Sequence, residues 1–129
     1  MISFQAFRQT DGTPIYLQII RYIQQGLAAG TIRDGDELPS RRVLSSLLAV
    51  NPNTVQKAFR LLEDEGLVTS RAGAKSYIQA APEQIAVLRQ ELLETELQTM
   101  VDAARRMGLT REEAHRLLDT LYDKEGTDA

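Results

Sequence analysis

Ser40 to Leu48 reads SRRVLSSLL, and Asn51 to Gly66, after only Ala49-Val50, reads NPNTVQKAFRLLEDEG. Ser40 is a capping residue, because its hydroxyl accepts from a free N–H of the first helical turn. Val43, Leu44, Leu47 and Leu48 follow at helical spacing and predict an apolar face on a helix over 40–48. Asn51 is a second capping residue, and Pro52 suits the first helical position, where no N–H is required. Val55, Ala58, Phe59 and Leu62 form a stripe to be buried, and Gly66 supplies a left-handed stop. Two short helices joined by a break of about three or four residues have helix-turn-helix spacing.

Outward from this pair, Leu67-Val68-Thr69-Ser70 and Ser76-Tyr77-Ile78-Gln79 are β-prone, with Arg71-Ala72-Gly73-Ala74-Lys75 between them. They predict a hairpin with a glycine-containing tip. A hairpin placed directly after the second helix is a wing. Upstream, Ile2, Phe4 and Phe7 read as a short extended arm. Thr13-Pro14 reads as a helix start, with a capping hydroxyl and proline at the first helical position. Tyr16, Ile19, Ile20, Ile23 and Leu27 carry that helix to Gly30, and Glu37-Leu38 reads as a very short strand.

Downstream, Ala80-Ala81-Pro82 reads as a boundary, so residues 1–80 and 81–129 are expected as two domains. A long helix is expected from Pro82 to Met107, broken at Gly108. Thr110 with Glu113 makes a capping box for a last helix carrying Ala114, Leu117, Leu118 and Leu121. The expected fold is mainly α with a small β-hairpin. A winged helix-turn-helix domain is followed by two C-terminal helices for dimerisation.

The formal net charge is −3, unpromising for a polyanion partner until it is divided along the chain. Residues 1–80 hold nine Lys/Arg against seven Asp/Glu, and residues 81–129 hold six against eleven. Between Leu38 and Leu62 lie Arg41, Arg42, Lys57 and Arg60 with no acid at all. A local basic patch inside an acidic protein is a footprint for nucleic acid.

The chemistry of the second helix points the same way. A helix entering the major groove presents polar side chains from its leading turns. Asn51, Asn53, Thr54, Gln56 and Lys57 stand there, with Arg60 beyond. Asn and Gln pair with adenine edges, and Thr meets a thymine methyl. Asn51 is read equally as a cap alone. Ser40, Arg41 and Arg42 open the preceding helix, where either arginine grips phosphate or one reaches a guanine edge. Arg71, Gly73 and Lys75 place charge and a close-approach glycine at the wing.

Residues 14–78 closely resemble the DNA-binding domain of GntR-family regulators, on three runs. They are Gly35 to Arg42, reading GDELPSRR; Val50 to Val55, reading VNPNTV; and Leu61 to Val68, reading LLEDEGLV. The opening at Pro14, PIYLQI, and the VNPNTV core resemble the YtrA subfamily, whose short C-terminal extension also matches residues 82–123. The resemblance implies that Arg42 contacts DNA and that Asn51, Asn53 and Thr54 open the recognition helix. It also implies a repressor of its own operon, often beside transporter genes. The family's wing carries a basic residue between two glycines, whereas here Ala74 and Lys75 follow Gly73. The basic charge is therefore shifted by one position, and Arg41 replaces a frequently acidic residue.

The helix after Pro82 has an apolar stripe too long for one short partner helix to cover. Ile85, Leu88, Leu92, Leu97, Met100 and Val101, with Leu117 and Leu121 of the last helix, are the expected homodimer interface. A two-fold protein implies a palindromic duplex operator. Two helices cannot enclose a large ligand, so a small effector would sit at the dimer interface. The alternative is a winged-helix module that docks another protein and no longer reads operators. An enzyme is not expected, because no phosphate loop or nucleophile–base pair is present. Without cysteine and with His115 alone, neither metal nor other cofactor is expected. No stretch approaches about 18 apolar residues, and no signal peptide pattern is present, so a cytoplasmic protein is expected.

Overall fold

The computed structural model describes residues 1–71 and 75–128. Its elements run α1 (Ile15–Ala29), α2 (Arg41–Leu48), α3 (Pro52–Asp64), β1 (Val68–Arg71), β2 (Lys75–Ile78), α4 (Pro82–Arg106) and α5 (Arg111–Asp128). The chain divides into two compact units, Met1–Gln90 and Glu91–Ala129. The division falls inside α4, because Ile85 and Leu88 pack half-buried against the core of the first unit.

That core is built where the apolar periodicities of three helices converge. Ile19, Ile23 and Leu27 of α1, Leu44 of α2, and Val55, Ala58, Phe59 and Leu62 of α3 are almost wholly buried. The strands are antiparallel and pair Val68 with Ile78, which seals the core from the side of the hairpin. Glu37 bridges to Tyr77, and Leu38 N–H donates to Ser76 O at 2.9 Å, so the short segment before α2 lies beside β2.

The N-terminal arm is not a free extension. Ile2, Phe4 and Phe7 are buried, and Ile2 N–H donates to Glu37 O at 2.8 Å. Phe4 stacks on Tyr22 at 4.8 Å, and Phe7 meets the same ring edge-on at 5.5 Å. Helix α1 starts one residue later than expected, with Pro14 itself at the cap position and no side-chain cap. The side chain of Gln18 ties down the entering chain instead. It accepts from Thr10 N–H and donates to the Thr10 and Thr13 carbonyls. Gly26 is admitted mid-helix because a Cβ there would come 2.7 Å from Ile32 Cγ1.

Helix α2 buries a different stripe from the one its hydrophobicity suggests. Leu44 and Ser45 are buried and Leu48 half-buried, while Val43 is exposed and Leu47 is 67% exposed. Ser45 tolerates burial because its hydroxyl donates to Arg42 O at 2.9 Å. The helix ends at Ala49, which takes φ 56° and ψ 46° with no glycine to ease it. A Cβ in that region crowds the following carbonyl. We expect Ala49→Gly to raise stability by about 1 kcal/mol. Urea denaturation followed by circular dichroism measures it, and an unchanged or lower midpoint would show that the turn is unstrained.

In the second unit, Gly108 at φ 71° separates α4 from α5. The expected capping box is formed: Thr110 N–H donates to Glu113 Oε1 at 3.0 Å, and Glu113 N–H donates to Thr110 Oγ1 at 3.1 Å. Hydrogen bonds from the Thr110 backbone, and then from its hydroxyl, hold the Glu113 carboxyl below its ordinary pKa. Helix α4 has no buried residue, and the apolar side chains of α5 from Leu117 to Tyr122 are exposed. Met100, Val101, Ala104, Leu109, Leu117 and Leu121 line an open groove of about 660 Å³ between these helices.

Candidate nucleic-acid interface

The leading turns of α2 and α3 are both capped as their sequences require. Ser40 Oγ accepts from Val43 N–H at 3.1 Å, and Asn51 Oδ1 accepts from Asn53 N–H at 2.8 Å. The Asn51 oxygen is therefore engaged by its own helix. Thr54 is half-buried, whereas Asn53, Gln56, Lys57 and Arg60 are exposed. Their spacing puts these four on one side of α3, opposite Val55, Ala58, Phe59 and Leu62.

The two arginines of α2 part company. Arg42 is exposed, and no described residue forms an ion pair with it. Arg41 turns inward: its Nη2 lies 3.5 Å from Glu63 Oε1, and its guanidinium lies 5.5 Å from the Phe59 ring centroid. Its Nε is buried without a hydrogen-bond partner. Glu63 also accepts from Ser70 Oγ at 2.7 Å, so Arg41 and Glu63 link α2, α3 and β1. This geometry makes Arg41 a brace between α2, α3 and β1.

At the wing, Arg71 and Lys75 face each other directly across the hairpin, and both are exposed. Like charges at a cross-strand pair repel, so a polyanion beside them relieves a local cost. Arg71 also lies 4.4 Å from the Tyr77 ring centroid. Gly73, expected to approach DNA closely, lies outside the described residues.

Two features escaped sequence reasoning. Tyr16, expected as core alone, is half-buried and carries Lys57 Nζ at 4.0 Å from its ring centroid. Tyr77 does the same for Arg71. The partners are 41 and six positions apart, and helical or strand spacing carries no signal for the first pair. Among the described residues no group of His, Cys, Asp and Glu could hold a metal ion, and no helix is long and apolar enough to cross a membrane.

Of the eight expected dimer residues, Ile85 and Leu88 are half-buried against the first unit's own core, and Leu92 is half-buried. Leu97, Met100, Val101, Leu117 and Leu121 are exposed, as are Leu93 and Leu118 beside them.

A capped helix-turn-helix, a polar and basic outer face on its second helix, and a basic hairpin together define a winged helix-turn-helix transcription regulator. Residues 15–78 match the family model of bacterial regulatory proteins, gntR family. The chain is 34% identical to the HTH-type transcriptional repressor YtrA of Bacillus subtilis, over 81% of this chain and 82% of that one. It is similar in structure to a GntR family transcriptional regulator from Listeria monocytogenes, with a TM-score of 0.78 and 28% identity. That match covers 87% of this chain and 98% of the other. It also resembles the GntR-family transcription factor YtrA from Sulfolobus acidocaldarius, with a TM-score of 0.56 and 30% identity over 78% of this chain and 99% of that one. The chain belongs to the gntR family of bacterial transcription regulators.

Proposed function

We propose that this regulator represses transcription by binding a palindromic operator as a homodimer in the cytoplasm. The observation that carries the reading is the exposed row Asn53, Gln56, Lys57 and Arg60 along α3, free of acids, with Arg42 exposed on the preceding helix. In this reading α3 enters the major groove, and Asn53 and Gln56 pair with base edges. Arg42, Lys57 and Arg60 take phosphates, and Arg71 and Lys75 reach the backbone beside the groove. Arg41 acts from behind, by holding α2 and the hairpin to α3.

The dimer rests on the second unit, where Leu97, Met100, Val101, Leu117, Leu121 and Tyr122 are exposed. A second copy laid on Leu97, Met100, Val101, Leu117 and Leu121 removes that surface from water. The same groove is where a small effector would act, by changing how the two copies meet. The likeness to a named repressor supports repression as the direction of control.

Binding to the DNA upstream of the protein's own gene, measured by fluorescence anisotropy across a salt series, tests the reading. We expect specific retention and a steep salt dependence. Arg42→Ala should weaken binding to all duplexes and flatten the slope of log K against log salt by about 0.9. Asn53→Ala should relax preference at one base position, costing about 1–3 kcal/mol there. Equal and weak affinity for every duplex would instead mark a protein-docking module. Wild-type behaviour of both variants would place the interface elsewhere.

A further inference from the structure

We infer that Tyr16 is a positioning residue for operator binding, which acts by holding the Lys57 ammonium on the outward side of α3. The inference rests on the proposal that this side meets DNA.

Lys57 is exposed on α3, yet its side chain reaches α1, because α1 packs against α3 and carries Tyr16. Its Nζ stands 4.0 Å from the centroid of the Tyr16 ring. That ring is fixed, since Tyr16 is half-buried and packs against the core of the first unit. A lysine side chain is long and freely rotating, and a phosphate contact must immobilise it. An ammonium already resting on an aromatic face has lost much of that freedom before DNA arrives. Its N–H donors number three, so the group can face the ring and still give hydrogen bonds to a phosphate oxygen. Among the described residues, Arg60 and Arg42, the other exposed cations of the two helices, have no such ring. On the two helices, Lys57 is thus the phosphate contact that the folded protein prepares in advance, as Arg71 over Tyr77 is on the wing.

The test uses the full chain and a duplex selected by it from a random-sequence library. Wild type, Lys57→Ala, Tyr16→Leu, Tyr16→Phe and the double variant Lys57→Ala/Tyr16→Leu are compared, each shown folded by circular dichroism. Tyr16→Leu should weaken binding about three-fold. Tyr16→Phe should bind like wild type, because the ring is kept. In the Lys57→Ala background Tyr16→Leu should cost nothing further, a result that a general loss of structure would not produce. An equal loss in both backgrounds, or no loss in the wild-type background, overturns the inference.

A second measurement needs no variant that disturbs the core. The ε-methylene protons of Lys57, observed by NMR in the wild-type chain, should be shifted upfield by the ring and stay so with duplex bound. Ordinary shifts in the complex would also overturn it. Failure of the parent reading has a different signature: Lys57→Ala itself would bind with wild-type affinity and salt slope.

Discussion

Phe59→Ala should destabilise the first unit by about 3–5 kcal/mol. Phe59 is fully buried in the core that it shares with residues of α1 and α2, and its removal leaves a cavity that a close-packed interior fills poorly. The ring also lies beneath the Arg41 guanidinium, so the brace from Arg41 to Glu63 loses its platform. A domain of this size is stable by about 5–15 kcal/mol, so the loss takes a large share of the total. Urea denaturation followed by circular dichroism measures it. A cost below about 1 kcal/mol would mean that the three helices do not depend on this side chain. DNA binding should fall with stability, since α3 is presented only by the folded core.

Leu97→Asp combined with Leu121→Asp should convert a dimer into monomers and lower operator affinity at least about a hundred-fold. Both leucines are exposed in the second unit, and each is expected to lie against a second copy. A carboxylate placed in an apolar interface without a partner costs several kcal/mol, and a two-fold assembly incurs that cost twice. The affinity loss follows because two linked reading heads make the second half-site an intramolecular contact. Sedimentation equilibrium should show twice the chain mass for wild type and the single mass for the variant. The first unit should melt unchanged, because neither position lies within Met1–Gln90. A wild-type monomer at micromolar concentration, or a variant that stays dimeric, would remove this face from the assembly.

The elements were legible because each boundary is written in local chemistry. Ser40, Asn51-Pro52 and the Thr110–Glu113 pair stop or start helices through hydrogen bonds within one turn, and the structure forms all three. The buried stripe of α3 was equally plain, since all four of its members are apolar at helical spacing. Helix α2 was misjudged because apolar character alone does not assign a face. Ser45 buries its hydroxyl against a carbonyl, and Leu47 is left in solvent. The start of α1 moved by a residue because a clamp from Gln18, not a capping hydroxyl, holds the chain before it.

By itself, then, the sequence determined the order of helices and wing, the family, and which polar residues open α3. These follow from caps, periodicity and motif runs, all interactions within a few residues of one another. Only the tertiary structure decided the placement of each cation. Arg41 and Arg42 are neighbours of one residue type, yet packing turns Arg41 onto Phe59 and Glu63 and leaves Arg42 outside. Lys57 found Tyr16 through the packing of α1 on α3, across 41 positions of chain. Long side chains take the direction that their three-dimensional neighbours allow, and those neighbours exist only once the core has formed.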